Sequence, residues 1–283
     1  MPARDQPTAR QARLGAELRK LREAAGMSSA EAAASLGWER PRVSHIESGR
    51  HGVSGERVRH LASHYSARDT AYIDALAAMA DERSTGWWKE FRDILTASAL
   101  DLAELEHHAR YVRVIELLIV PGLLQTEDYA RAVFDRAITQ RPAAAVDAAV
   151  RHRMARRRIL ERSSPTDLEV FLHESALHMR YGSRSVMRAQ IEFLCEAADW
   201  PTASIRLIPF EAEGITSSIQ SLTYAGGPVP QLDTVQVDNA FDGAFLDADA
   251  QLGKYRALIE HVEKISLSAG DSKKLMRAAA REL

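Results

Sequence analysis

Val43-Ser44-His45-Ile46-Glu47-Ser48-Gly49-Arg50 is the stretch on which the reading of this chain turns. At about 100° per residue, Val43 and Ile46 share one side of a helix that runs from about Arg40 to Glu47 and stops before Gly49. The opposite side carries Pro41, Ser44, His45 and Ser48, with Arg40 and Arg42 at its flanks. Pro41 is tolerated because it falls in the first turn, where its missing N–H has no helical partner to lose. Small hydrogen-bonding side chains at the centre of an exposed face, edged by two arginines, suit a major groove. Ser and His meet base edges there, and Arg takes guanine bidentately or a phosphate. Taken alone, such a helix also fits any solvated surface.

The elements around it narrow the choice. Leu14, Leu18, Leu21 and Ala25 recur at helical spacing, and Gly26 follows as a C-terminal stop. Ser28 or Ser29 then caps a short Ala-rich helix with Glu31 in its first turn, ending near Gly37. A fourth helix shows Val58, Leu61, Ala62 and Tyr65 after Ser54 as its cap, and a fifth spans about residues 69–81. Five short helices with turns of a few residues predict a compact all-helical domain over residues 1–82.

Leu18-x-x-Leu21-Arg22, Ser28-x-x-Glu31-x-Ala33, Leu36-Gly37-Trp38 and the stretch 43–50 follow one another in an order that resembles the Xre family of phage-repressor-like helix-turn-helix proteins. The resemblance implies that the helix after Ser29 positions the domain and that the helix from Arg40 to Glu47 enters the major groove. It implies DNA contacts from Ser29, Arg40, Arg42, Ser44, His45 and Arg50, and a structural pair between Arg22 and Glu47 that ties the first helix to the third. The sequence departs from the family at Glu39, where Ser or Thr usually caps the recognition helix. Glu suits the helix dipole but brings a negative charge towards DNA phosphate.

The whole-chain charge hides this. The 283 residues hold 37 Lys plus Arg and 39 Asp plus Glu, a net of −2. Residues 1–66 hold 11 against 7, a net of +4, and residues 67–283 hold 26 against 32, a net of −6. A basic head joined to an acidic body is the pattern of a chain whose head meets a polyanion. The single cysteine, Cys195, excludes an intramolecular disulfide and a thiolate zinc cluster. The longest uncharged stretch, 214–232, carries three Gly and two Pro and cannot span a membrane as a helix. No signal peptide is read at the start, so the expected location is the cytoplasm, in association with the nucleoid. Arg outnumbers Lys 31 to 6, which reads as codon bias of a GC-rich genome.

The body, residues 83–283, predicts an α+β domain. One or two helices fill residues 83–109, with Trp87, Trp88, Phe91, Ile94 and Leu95 as core at helical spacing. A strand follows at 110–120, then a helix capped by Thr126 and a third helical region over 142–162. Strands are expected at 168–172, 204–210, 217–224 and 234–241, and helices after Ser183 or Ser185 and over 248–267 and 272–283. Residues 136–162 hold eight Arg and two acids, and Arg151, Arg153, Arg156, Arg157 and Arg158 circle the helix. That run reads as a solvated face pairing with the acidic remainder, with a second nucleic-acid surface as the alternative.

Val120-Pro121-Gly122-Leu123-Leu124-Gln125-Thr126, Asp128-Tyr129-Ala130-Arg131-Ala132, His173-Glu174-Ser175-Ala176-Leu177 and Ile208-Pro209-Phe210 resemble landmarks of the domain that accompanies Xre heads in WhiJ-like actinomycete regulators. That resemblance implies a sensing or partner-binding module, often working with a small acidic partner protein. It places a concave sensing site around Leu123, Gln125, Tyr129 and Glu174.

Enzyme readings find no motif. His173 and His178 are five apart, about 140° around a helix, so they do not form the zincin pair that needs i and i+4. The acids between Asp233 and Asp249 lack EF-hand spacing and read as a solvated rim. The expectation is a mainly α chain with a helix-turn-helix head and a larger α+β body. It acts as a homodimeric DNA-binding transcriptional regulator with no cofactor, no metal and no catalytic residue, on a double-stranded operator. The alternative is the interaction module of an antitoxin-like pair with secondary autoregulatory DNA binding.

Overall fold

A computed structural model describes residues 7–82, 86–137, 142–216, 219–238 and 243–283. The chain divides into two compact units, one through Trp87 and one from Trp88 onward.

The N-terminal unit comprises α1 (Ala9–Ala24), α2 (Ser29–Ser35), α3 (Arg40–Glu47), α4 (Gly55–His64) and α5 (Thr70–Asp81). Local chemistry sets most of the boundaries. Thr8 and Gln11 close a capping box at α1, and Ser28 and Glu31 close another at α2. Ser54 and Asp69 cap α4 and α5. Leu18, Ala33, Val43, Ile46, Val58, Leu61 and Leu76 form the buried centre.

The buried side of α1 differs from the apolar stripe expected of it. Leu18 is buried, but Ala25 is exposed, and Arg13, Gly15, Glu17 and Arg22 take the remaining inward positions. Buried charge is tolerated there because it is paired. Glu17 meets Arg13 and Lys20 at 2.7 Å each and accepts a 2.5 Å hydrogen bond from the Tyr72 hydroxyl of α5.

The C-terminal unit is built on a six-stranded mixed sheet in the order β3-β2-β1-β4-β5-β6. Its strands are β1 (Tyr111–Glu116), β2 (Asp167–His173), β3 (Ala203–Ile208), β4 (Leu222–Gly226), β5 (Thr234–Asp238) and β6 (Gly243–Leu246). The first three run parallel and the rest pair antiparallel. The parallel connections carry α7 (Glu127–Asp135), α8 (Ala143–Arg156), α9 (Arg158–Glu161), α10 (Ser175–His178) and α11 (Arg184–Ala197), as parallel pairing requires. The helix α6 (Ala97–His108) precedes β1, and α12 (Asp249–Ile265) and α13 (Ala269–Glu282) close the chain.

Side-chain alternation splits the core in two. Val112, Val114, Leu168, Val170 and Leu207 pack with Met187, Ile191 and Leu194 of α11 and Met276 of α13. On the other face Ile115, Phe171, Ile208 and Tyr224 pack with Leu252, Ile259 and Val262 of α12.

Three expectations need adjusting. Residues 87–91 form a 3₁₀ turn instead of a helix; Trp88 is buried there, but Ile94 is half-exposed. β6 went unread because its four half-buried residues lie within the supposed acidic rim. The expected strands 217–224 and 234–241 overlap residues 217–218 and 239–241, which lie outside the described residues; of the rest, 222–224 opens β4, 219–221 is not strand, and 234–238 is β5.

Candidate nucleic-acid interface

α3 turns Val43 and Ile46 inward, at 3% and 5% exposure, which leaves Pro41, Arg42, Ser44 and Ser48 exposed to solvent. His45 is half-buried. Its ring meets the His51 ring edge-on at 4.8 Å, and its carbonyl accepts a 3.0 Å hydrogen bond from the His51 N–H. Arg40 opens the helix, and its side chain lies outside the described residues.

Two devices hold α3 in place. Arg22 donates from Nε and Nη2 to both carboxylate oxygens of Glu47 at 2.6 and 2.9 Å, and from Nη1 to the Met27 carbonyl at 2.5 Å. The fork ties α1 to the end of α3 and to the turn before α2. Gly49 then leaves the helix at φ +73°, with the Gln11 carbonyl only 2.8 Å from where a Cβ would stand. That close approach puts Arg50, which is exposed, directly beyond the helix end. Ser29 is the first residue of α2 and half-buried; the capping role belongs to Ser28.

Glu39 occupies the N-cap of α3 but makes no side-chain capping bond. Its longer side chain does not perform the short Ser or Thr geometry. Glu39→Ser should therefore stabilise the unit by about 0.5–2 kcal/mol through a restored cap. It should also tighten DNA binding by removing a negative charge beside the groove. Thermal unfolding and a binding isotherm on the same variant check both parts.

Sequence reasoning used Trp38 as part of the helix-turn-helix pattern but gave it no role of its own. The guanidinium carbon of Arg42 lies 4.7 Å from its ring centroid and that of Arg57, on α4, lies 5.4 Å away. A Trp one residue before an N-cap, with Arg four residues on, was the available signal.

In the C-terminal unit, the expected sensing residues are committed to holding the chain itself. Leu123 is 2% exposed, and Gln125 and Tyr129 are fully buried. Gln125 donates to the Val120 carbonyl at 2.7 Å and accepts from Arg153 at 2.8 Å, and its own carbonyl accepts from Arg157 at 2.5 Å. The Tyr129 hydroxyl accepts from the Val120 N–H at 3.2 Å. Gln190 of α11 accepts from the Thr126 N–H and donates to the Leu124 carbonyl. These residues seal the turn after β1. Glu174 sits apart at the end of β2 and accepts from the Phe210 N–H at 2.7 Å. An open cleft of about 420 Å³ lies elsewhere, at the starts of β1, β2 and β3, lined by Tyr111, Arg113, Asp167, Glu169, Thr202 and Ser204 among others.

The arginine-rich run is also corrected. Arg151 and Arg158 are exposed, but Arg156 is buried and Arg153, Arg157 and Arg162 are half-buried. Arg156 forms a fork on Glu106 of α6 at 2.7 and 2.5 Å. Arg162 donates to the His107 and Ala109 carbonyls at 2.7 and 3.0 Å. The run works inward, stitching α8 and α9 to α6 and to the turn after β1.

Glu116, at the end of β1, is desolvated and its carboxyl is pushed up to about 7, against the pull of Ser221. The sign follows directly. The unfolded group ionises near its ordinary value while the folded one keeps its proton, so stability falls as pH rises from about 4.5 to about 7 and then levels. Glu116→Gln should flatten that slope and raise the unfolding midpoint at pH 8, as read by denaturant titrations at several pH values.

A helix-turn-helix domain family matches residues 13–76, the span from α1 into α5. The N-terminal unit is thus of the class that presents a recognition helix to DNA. The chain as a whole belongs to the family defined by a domain of unknown function, DUF5753, which matches residues 99–278. Comparison with curated proteins and with solved structures found no match. Among the described residues, no helix is long and apolar enough to cross a membrane.

Proposed function

We propose that this chain is a sequence-specific transcriptional regulator of the Xre type. Its N-terminal unit reads an operator, and its C-terminal domain senses a small molecule or a protein partner. The observation that carries the reading is α3: two apolar anchors inside, Arg42 and Ser44 outside, and the Arg22–Glu47 fork fixing its end. The expected working form is a homodimer, because one head covers only a half-site. Its place of action is the cytoplasm, at the nucleoid, and the Arg-rich composition fits an actinomycete source. The C-terminal domain is assigned no catalysis. Its open cleft at the strand starts offers a surface for sensing that the sealed turn at Leu123–Tyr129 does not.

Replacing both Arg40 and Ser44 by Ala should weaken a specific site by about 1–3 kcal/mol for each base whose edge is no longer read, measured by footprinting at fixed salt. Unchanged protection of the same operator would sink the assignment. A small acidic protein that copurifies from the native host, with DNA binding confined to the gene's own promoter, would favour the antitoxin-like alternative instead.

A further inference from the structure

We propose that Trp38 is a positioning residue that gathers Arg42 and Arg57 into a two-arginine clamp for the DNA backbone. The clamp carries the interface from α3 to the first turn of α4. It rests on the reading of the N-terminal unit as a DNA-binding domain.

Some arginines of this unit are paired within the fold, whereas Arg42 and Arg57, like the exposed Arg50 and Arg68, have no carboxylate partner among the described residues. Arg13, Arg19, Arg22 and Arg59 have carboxylate partners in Glu17, Glu23, Glu47 and Asp74. Their charge is already engaged within the fold. Arg42 and Arg57 are exposed, and both stand over one indole, at 4.7 and 5.4 Å. Two cations collected this closely repel each other, and the face of the indole quadrupole offsets part of that repulsion.

Arg57 is placed against its own helix. It lies three residues after the Ser54 cap of α4, where the dipole disfavours a cation. A solvated arginine gains nothing from that position, whereas one that meets a phosphate gains a charge-assisted hydrogen bond beside the helix N–H groups. Trp38 also limits the rotamers that both arginines must surrender on binding, which lowers the entropic cost of the contact. Trp38 itself touches no DNA in this arrangement and acts through the two guanidinium groups.

The test uses the full-length chain and a duplex of about 30 base pairs, long enough for two half-sites one turn apart, selected by the wild-type protein from a randomised pool. Affinity is measured across a salt series. Arg57→Gln should make the slope of log K against log salt shallower by about 0.9 for each phosphate no longer neutralised. Arg59→Gln, with the same charge change on the same helix, should leave the slope near wild type. Trp38→Ala should weaken binding roughly 2- to 30-fold and flatten the slope, and Trp38→Phe or Trp38→Tyr should restore both.

The clamp is overturned if Arg57→Gln and Arg59→Gln behave alike. It is also overturned if Trp38→Phe, with an unchanged thermal midpoint, keeps the flattened slope. Should Trp38→Ala not fold, the Arg57→Gln and Trp38→Phe results still decide. A wild-type chain that selects no duplex would overturn the DNA-binding reading, and the clamp with it. Wild-type binding with an unmoved Arg57→Gln slope removes the clamp alone.

Discussion

Glu106→Leu is expected to cost about 3–5 kcal/mol of unfolding free energy, because it leaves the Arg156 guanidinium buried without its counter-charge. The two side chains are 2% and 9% exposed and meet through two hydrogen bonds. The guanidinium does not escape by shedding its proton, because arginine is basic enough to stay charged even when its carboxylate partner is removed. The pair joins α6 to α8, so its removal should loosen the helical layer around the turn after β1. The double variant Glu106→Leu with Arg156→Met should recover most of the stability, since a well-packed apolar pair replaces the ions without leaving a charge behind. Trp88 packs on His107 at 5.0 Å, and its fluorescence gives a local probe for urea titrations of the three proteins. A double variant no better than the single would show that Arg156 matters through groups other than Glu106.

Gly15→Ala should destabilise the N-terminal unit by about 1–3 kcal/mol, the usual range for forced overpacking. Helix propensity argues the reverse, as Ala is better than Gly inside a helix by about 0.8–1 kcal/mol. The structure overrides that preference. A Cβ at position 15 would stand 2.4 Å from the Glu47 carbonyl oxygen and 2.7 Å from that of Ile46. These are backbone atoms at the end of α3 and cannot swing aside. α3 must move, so, on the proposed reading of α3 as the recognition helix, DNA affinity should drop together with the melting temperature. Gly253→Ala supplies the contrast. Gly253 lies within α12 with open space around it, and there the propensity gain should appear as added stability. Calorimetry on the two variants should give shifts of opposite sign.

Much of the head was legible because its signals are local. A cap at Ser28 or Ser29, another at Ser54, the apolar pair Val43 and Ile46, and glycine stops set helix ends within a residue or two. The body was legible as alternating strands and helices, since buried β1, β2 and β3 read as apolar runs. Its site was not. Periodicity turns Tyr129 inward, but residue types alone do not show what Gln125 and Tyr129 bind to. Their partners, Arg153, Arg157 and the Val120 backbone, show that they are internal fasteners. The arginine run misled for the same reason, because a charge on a helix is outward by default and Glu106 lies 50 residues away from Arg156.

By itself, then, the sequence determined the helix-turn-helix order, the basic head and acidic body, the exposed face of α3 and the α+β character of the remainder. These follow from periodicity, capping and charge, which act within a few residues. The tertiary structure alone decided which charges are interior, where Glu116 is desolvated, why Gly15 must stay Gly, and that Trp38 joins Arg42 to Arg57. Each of those depends on groups brought together from distant parts of the chain, and the energy of a charge or a contact is set by what surrounds it after folding.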